Sequence, residues 1–181
     1  HDGLYAYDGF NYPAGPLAEQ NGGFGWAGPW FNVEADAQSD ANSNGVRPDS
    51  LEYEGLVPQG NRAVQMAHQN RIRRSLGTSV GGVFDAAGLV ENQDGMRLVG
   101  RDGAVVYVSF LQRVDKTADV FYGFELHRSD GNGNRVLCIG HGAENTGYGV
   151  TSNTNVYNAQ NYPRLGEEDT NTNFFVVRIT F

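Results

Sequence analysis

Aromatic side chains among small polar residues are the first feature of this sequence that could do chemistry. A flat indole or phenol ring offers an apolar face to the C–H groups of a pyranose, while amides and carboxylates bind the hydroxyls. The candidate sugar-binding residues are Trp26, Trp30, Tyr148, Tyr157 and Tyr162. The alternative for the two tryptophans is packing in the core, because tryptophan is highly buried on average.

The stretch NGGFGWAGPW, residues 21–30, holds both tryptophans among glycines and prolines. Glycine and proline are the two worst helix formers, so turns and strands must hold the indoles. The glycines at 22, 23, 25 and 28 would let the backbone pass close to both rings. On the packing interpretation, this stretch is a clasp that seals one end of the fold.

Oxygen-bearing side chains at alternate positions indicate a second kind of site. Asp130, Asn132 and Asn134 lie in SDGNGN, residues 129–134, at a spacing that lets oxygen atoms converge on calcium. The glutamate that completes an EF-hand loop would fall at His141, and the same letters are sufficient for a hairpin turn. Both a calcium site and a plain turn therefore stay open. No other cofactor is indicated.

Paired carboxylates that could hydrolyse a glycoside are weakly represented. Glu52 and Glu54 in LEYEGL form the one Glu-x-Glu pair of the sequence, and Glu125 in FYGFELHR stands without a second acid on its strand. A retaining glycosidase needs two carboxyl groups about 5.5 Å apart. We therefore expect solvated carboxylates here and a protein that is not an enzyme.

Histidine and cysteine spacing gives no transition-metal motif. The four histidines include no His-x-x-x-His pair, and one cysteine excludes an internal disulfide. His127 and His141 flank one predicted hairpin, so we expect them to approach each other as ordinary cross-strand neighbours. Cys138 lies between apolar residues in VLCIG and is expected to be buried.

Composition limits the class of protein. The chain has 181 residues, a formal net charge of −8 and one lysine, Lys116. This balance opposes binding to nucleic acid or anionic membranes, which need clustered basic residues. No run approaches the roughly 18 apolar residues of a membrane span. A start at His1 without methionine suits a mature exported protein, secreted, periplasmic or at the cell surface, although a cloned fragment would look the same.

Alternating apolar residues predict several strands. Residues 104–114 are expected to be buried on both faces, residues 120–128 on one face, and residues 135–140 complete a hairpin with 120–128. Residues 82–103 lack a strand pattern. One or two helical turns are expected within residues 83–91. The remaining predicted strands are residues 4–10, 30–35, 62–67, 71–76, 148–151 and 174–181. Such spacing predicts an all-β, two-sheet antiparallel β-sandwich.

Five motifs in order along the chain resemble one family. The sequences YDGFNYPAG, NGGFGWAGPW, SLEYEGL, VVYVSFLQR and FYGFELHR are similar to bacterial concanavalin A-like (laminin-G-like) jelly-roll domains of exported or surface proteins. The resemblance implies a single jelly-roll domain over residues 1–181. Glycanases of this fold carry Glu-x-Asp-x-(x)-Glu on one strand, which this chain lacks.

The resemblance also implies one more strand after FFVVRITF, residues 174–181. A longer parent chain, a cleavage, or a strand supplied by another chain would each account for its absence. The fold hosts lectins, glycanases and structural modules, so it does not fix function. We expect a non-catalytic structural or interaction module of a larger assembly, with a protein partner or a second copy. A lectin-like module that binds polysaccharide is the alternative, and a glycoside hydrolase is a third.

Overall fold

The computed structural model describes residues 3–33, 44–65, 71–116, 122–129, 135–141, 147–152 and 163–181. Its elements are β1 (Gly15–Pro16), β2 (Phe31–Asn32), β3 (Gly45–Arg47), β4 (Arg62–Val64), β5 (Ile72–Arg73), α1 (Val83–Ala86), β6 (Val90–Gln93), β7 (Met96–Val99), β8 (Val105–Gln112), β9 (Tyr122–His127), β10 (Arg135–His141), β11 (Gly147–Thr151), β12 (Arg164–Glu167) and β13 (Asn173–Thr180). Strands dominate these residues, which confirms the all-β class.

The chain divides into two compact units. Unit 1 comprises His1–Leu111 with Phe174–Phe181, and unit 2 comprises Gln112–Asn173. Unit 1 holds β1 to β7, α1 and nearly all of β8 and β13, arranged as the small sheets β1-β3-β4, β2-β5, β6-β7 and β8-β13. Unit 2 holds one four-stranded sheet of order β12-β11-β10-β9.

The core of unit 1 forms where the N-terminal loops meet β3. Leu17, Val46 and Tyr12 are buried together, and Phe10, Trp30 and Ile72 pack against them. The backbone N–H of Leu17 donates to the carbonyl of Asn44 at 2.9 Å, which fixes β1 beside β3. Burial of these side chains supplies the main stabilisation of this region, since apolar burial is worth about 25 cal/mol per Å².

Strands β8 and β13 pair as a two-stranded sheet, which we call the ribbon. Ala104 bonds to Phe181 at one end, and the Phe110 and Phe175 rings stack at 5.1 Å, so the strands run in opposite directions. Burial alternates along both strands, as a pleated backbone requires. The prediction that residues 104–114 are buried on both faces is wrong, because Val105 and Tyr107 point to solvent.

Three regions differ from the sequence-based expectation. Residues 82–103 contain the hairpin β6–β7, closed by Asp94 and Gly95 with φ angles of 52° and 79°. Two successive positive φ angles match the right-handed twist of paired strands. Strand β12 was not predicted, whereas the predicted strand 4–10 forms only an isolated bridge from Tyr7 to Phe24.

The sheet of unit 2 has a regular antiparallel register. Ile139 of β10 lies opposite Phe124 of β9 and Val150 of β11, and Cys138 beside it is fully buried, as predicted. The expected approach of His127 and His141 is wrong. These residues lie at opposite ends of the β9–β10 pair, since His127 faces Arg135 and His141 faces Tyr122.

Substitution of the best-buried core leucine tests this packing. We expect Leu17→Ala to lower the free energy of unfolding by about 2–5 kcal/mol, because the lost methyl groups leave a cavity beside Val46. Leu56→Ala is the matched control on an exposed leucine of the same unit, and it should cost less than about 1 kcal/mol. Urea unfolding followed by circular dichroism measures both. Equal losses in the two variants would contradict the assigned core.

Candidate functional site

A buried ion pair lies at the centre of the N-terminal loops. The Arg74 guanidinium approaches Asp8 Oδ2 at 2.5 Å, and the two side chains are 2% and 5% exposed. The same carboxylate accepts from the backbone N–H of Phe10 at 2.9 Å, the hydroxyl of Tyr12 at 2.6 Å and the indole N–H of Trp30 at 2.9 Å. We call these five residues the Asp8 cluster. Its charges and donors are matched within the protein.

The structure places both tryptophans in packing contacts within unit 1. Trp26 donates its indole N–H to the carbonyl of Tyr7 at 3.1 Å, and the Arg74 guanidinium lies 5.1 Å from the Trp26 ring centroid. The Trp30 ring lies 6.4 Å from Trp26 and 5.8 Å from Phe10. Both indoles are half-buried and engaged with protein groups, which is the arrangement of a clasp.

A cleft of about 360 Å³ opens beside the Asp8 cluster. Glycines bring its walls together. A Cβ atom on Gly23 would lie 2.0 Å from the carbonyl oxygen of Tyr7, and one on Gly60 would lie 2.1 Å from that of Gly9. Both glycines also have positive φ angles, of 67° and 94°, that other residues rarely adopt. Asn11 and Gln59 are among the other residues of the lining.

Unit 2 contains a buried polar cluster of a different kind, the His141 cluster of Tyr122, His141, Tyr148 and Glu168. The His141 ring stacks on Tyr122 at 5.2 Å, and its Nε2 lies 3.6 Å from Glu168 Oε2. Tyr122 donates its hydroxyl to Glu168, and burial together with this bond raises the pKa of Tyr122 well above its usual range. Tyr148 is only 4% exposed, so its ring is not offered to solvent. Burial likewise raises the pKa of Tyr148.

A second charged group on the same sheet joins β9 and β10. Glu125 Oε2 lies 2.9 Å from His127 Nε2, and Glu125 Oε1 lies 2.6 Å from Arg135 Nε. Burial alone would raise the pKa of Glu125, but the bond from His127 and the charge of Arg135 outweigh it, so the pKa is lowered. These ion pairs link strand β9 to strand β10.

The ribbon presents an apolar outer face. Tyr107 and Val176 are 63% and 57% exposed, and Val105 and Phe174 are also exposed. The ring of Tyr53, itself exposed, lies 5.7 Å from that of Phe174. Five apolar side chains therefore reach solvent from one region of unit 1.

Several predicted site residues lie outside the described residues. They are Tyr157, Tyr162, Asp130, Asn132 and Asn134. Calcium binding at the last three stays a prediction, and no group of three or more His, Cys, Asp or Glu able to hold a metal ion occurs in the part of the chain that the structure describes. Glu52 and Glu54 are exposed, as expected, whereas the expectation of a solvated carboxylate is wrong for Glu125, whose side chain is 11% exposed and paired with His127 and Arg135.

Sequence reasoning missed the Asp8 cluster. Asp8 and Arg74 are separated by 66 positions, and no motif spacing connects residues so far apart. The one available signal was the opening YDGFNYPAG motif, which placed Asp8 close to aromatic residues without indicating a basic partner.

Comparison of the chain with protein-family models, with curated proteins and with solved structures found no match in any of the three. The resemblance to concanavalin A-like domains therefore rests on the sequence motifs alone. Among the described residues, no helix has the length and apolar character needed to cross a membrane.

Removal of one member of the buried ion pair should strongly destabilise unit 1. We expect Asp8→Ala to lower the free energy of unfolding by about 3–5 kcal/mol, because it leaves the Arg74 charge buried without its partner. The double variant Asp8→Ala/Arg74→Met should lose less than the sum of the two single variants. Chemical denaturation gives these values. The exposed pair Arg113–Asp115 is the control, and Asp115→Ala should cost at most about 1 kcal/mol.

The lowered pKa of Glu125 predicts a pH dependence in unit 2. A carboxyl group whose pKa is lower in the folded state stabilises the fold above its unfolded pKa, and this contribution disappears as pH falls through the folded pKa. The stability difference between wild type and Glu125→Gln should therefore shrink below about pH 4.3, the ordinary glutamate value. Thermal unfolding from pH 7 to pH 3 measures it. Glu167→Gln, on the exposed strand β12, should differ little from wild type at any pH, and a constant difference for Glu125→Gln would contradict the assignment.

Proposed function

We propose that this chain is a non-catalytic interaction module of an exported or surface assembly, and that a second copy of the chain binds the outer face of the ribbon. Its strands would belong to a concanavalin A-like jelly roll, as the five sequence motifs imply. The exposed apolar face of the ribbon is the observation that carries the functional proposal. Contiguous apolar surface on a water-soluble protein marks an interaction site more often than scattered single residues do.

The outer face of the ribbon is large, and its side chains follow the regular alternation of the two strands. Alternation along the strands directs seven side chains outward, and they are Val105, Tyr107, Ser109, Phe174, Val176, Arg178 and Thr180. Four of the seven are large apolar residues. Such a face fits a partner surface that is also apolar, as the core of a homodimer interface is.

Charge restricts a second copy to a face without carboxylates. The chain carries 21 acidic against 13 basic residues, so two copies repel each other over most approaches. The outward residues of the ribbon include one arginine and no carboxylate. Two copies that meet through this face avoid bringing acids directly together, and a two-fold axis would place the same patch on both sides of the interface.

A charge placed in the middle of this face should separate the copies. We expect the wild type to form a dimer in sedimentation velocity at micromolar concentration, and Val176→Lys to weaken association at least tenfold by burying an unpaired charge. Val80→Lys introduces the same charge at another exposed valine of unit 1 and should leave association unchanged.

Two results would contradict the proposal. One is a wild type that stays monomeric across the concentration range, and the other is equal weakening by Val176→Lys and Val80→Lys. Circular dichroism melting of each variant establishes that the comparison is made on folded protein. A dimer whose affinity depends on Val176 but not on Val80 supports the ribbon face.

A further inference from the structure

Asn21 and Gly22 form a step of the chain that has the chemistry to modify itself. In an Asn-Gly step the backbone nitrogen of the glycine can attack the side-chain carbonyl carbon of the asparagine, because glycine has no Cβ atom to hinder the approach. The product is a cyclic succinimide, which water opens to aspartate or isoaspartate. The sequence has three such steps, which begin at Asn21, Asn44 and Asn132. The first two lie within the described residues.

The side-chain carbonyl of Asn21 is activated by a buried cation. Its Oδ1 accepts a hydrogen bond from Arg74 Nη2 at 2.6 Å, and the Arg74 side chain is only 2% exposed. A charged donor on a carbonyl oxygen stabilises the negative charge that develops there when a nucleophile attacks the carbon, as the donors of an oxyanion hole do. Asn21 itself is exposed, so water reaches the product.

The attacking nitrogen has a route by which to lose its proton. The backbone N–H of Gly22 donates to the Tyr12 hydroxyl at 3.0 Å, and that hydroxyl donates to Asp8 Oδ2 at 2.6 Å. An amide nitrogen becomes a nucleophile only when it gives up its proton, and a positioned acceptor contributes roughly 10²–10⁴-fold to the rate of such a step. The two hydrogen bonds lead from the nitrogen to a carboxylate.

We propose that Asn21 is a self-modification site, at which Gly22 attacks and the Asp8 cluster catalyses the ring closure. As the bond between the Gly22 nitrogen and Asn21 Cγ forms, the carbonyl electron pair moves onto Oδ1. The Gly22 proton passes to the Tyr12 oxygen while the Tyr12 proton passes to Asp8. The electron pair then re-forms the carbonyl, the bond from Cγ to the amide nitrogen breaks, and ammonia leaves with the proton returned from Asp8. Water hydrolyses the succinimide and leaves aspartate or isoaspartate at position 21.

The same arginine stabilises the product. Arg74 Nη1 holds Asp8 at 2.5 Å, and Nη2 faces position 21. A guanidinium has five N–H donors and can bind two carboxylates through different nitrogen atoms. A carboxylate at position 21 therefore exchanges a neutral hydrogen bond for a charged one.

The step at Asn44 is a natural comparison within the chain. Asn44 is fully buried, and Gly45 lies in β3, paired with Pro16 of β1 and Val64 of β4. The sheet fixes the Gly45 backbone, and burial keeps water from the side chain. We expect the fold to slow the reaction at Asn44 and to accelerate it at Asn21.

Peptide mapping by mass spectrometry after incubation of the protein at neutral pH tests the proposal. We expect Asn21 in the folded protein to convert at least about tenfold faster than in the same chain unfolded in guanidinium chloride, because only the fold supplies Arg74 and Tyr12. Asn44 should convert more slowly in the folded protein than in the unfolded one. Isoaspartate should appear together with aspartate, since direct hydrolysis of the amide gives aspartate alone.

Two substitutions separate the catalytic groups from the fold. Tyr12→Phe removes the proton acceptor and Arg74→Lys removes the forked donor, and each should slow conversion of Asn21 at least about tenfold. Tyr5→Phe is the matched control, since it removes a hydroxyl from a tyrosine of the same unit whose ring packs on Phe84, and it should leave the rate unchanged. Circular dichroism melting identifies the variants that are folded.

Three results would overturn the proposal. The first is conversion of Asn21 that is no faster in the folded protein than in the unfolded chain, a comparison that needs no variant. The second is conversion to aspartate without isoaspartate. The third is an equal rate in folded Tyr12→Phe and Tyr5→Phe. Fast conversion in the folded protein that depends on Tyr12 supports the proposal, whatever the oligomeric state.

Discussion

The carboxylate of Asp8 is the constraint on which the N-terminal half of unit 1 depends. It joins Arg74, Tyr12 and Trp30, which come from three separate segments of the chain, in one buried group. It also accepts a hydrogen bond from the backbone N–H of Phe10. Phe10 has a φ of 54°, and this backbone conformation costs an aromatic residue about 1–3 kcal/mol. A strained residue persists only where its surroundings determine it, and here the carboxylate does so. The clasp and the cleft therefore both depend on the Asp8 carboxylate.

Glycine makes that arrangement sterically possible. Gly23 lies against the backbone of Tyr7 and Gly60 against that of Gly9, at distances where any Cβ atom would clash with a carbonyl oxygen. The composition of NGGFGWAGPW follows from this close approach, since the stretch must pass beside residues 7 and 8 while its indoles reach the Asp8 cluster. The loops are consequently positioned by backbone contact as well as by side chains.

Local patterns predicted the long strands and failed for several short ones and for what covers each face. Alternation located β8, β9 and β10 because a pleated strand has a period of two in any context. The same alternation could not tell which face of β8 another element covers, so the exposure of Tyr107 was missed. The hairpin β6–β7 was not predicted because residues 82–103 lack a strand pattern. The pairing of Asp8 with Arg74 depends on tertiary contact across 66 positions, which periodicity does not contain.

The outer face of the ribbon and the cleft share one electrostatic property. Neither carries an unpaired carboxylate, because the outward residues of the ribbon include one arginine and no acid, and because Arg74 compensates Asp8 at the cleft. On a chain of net charge −8, neither surface adds a carboxylate to the repulsion that the other acids impose on acidic partners, including further copies of the chain. Association at the ribbon must then depend on short-range contact, namely apolar burial. Added salt should therefore not weaken this association, as it would weaken binding at a site built on opposite charges, because salt screens the repulsion between two acidic copies.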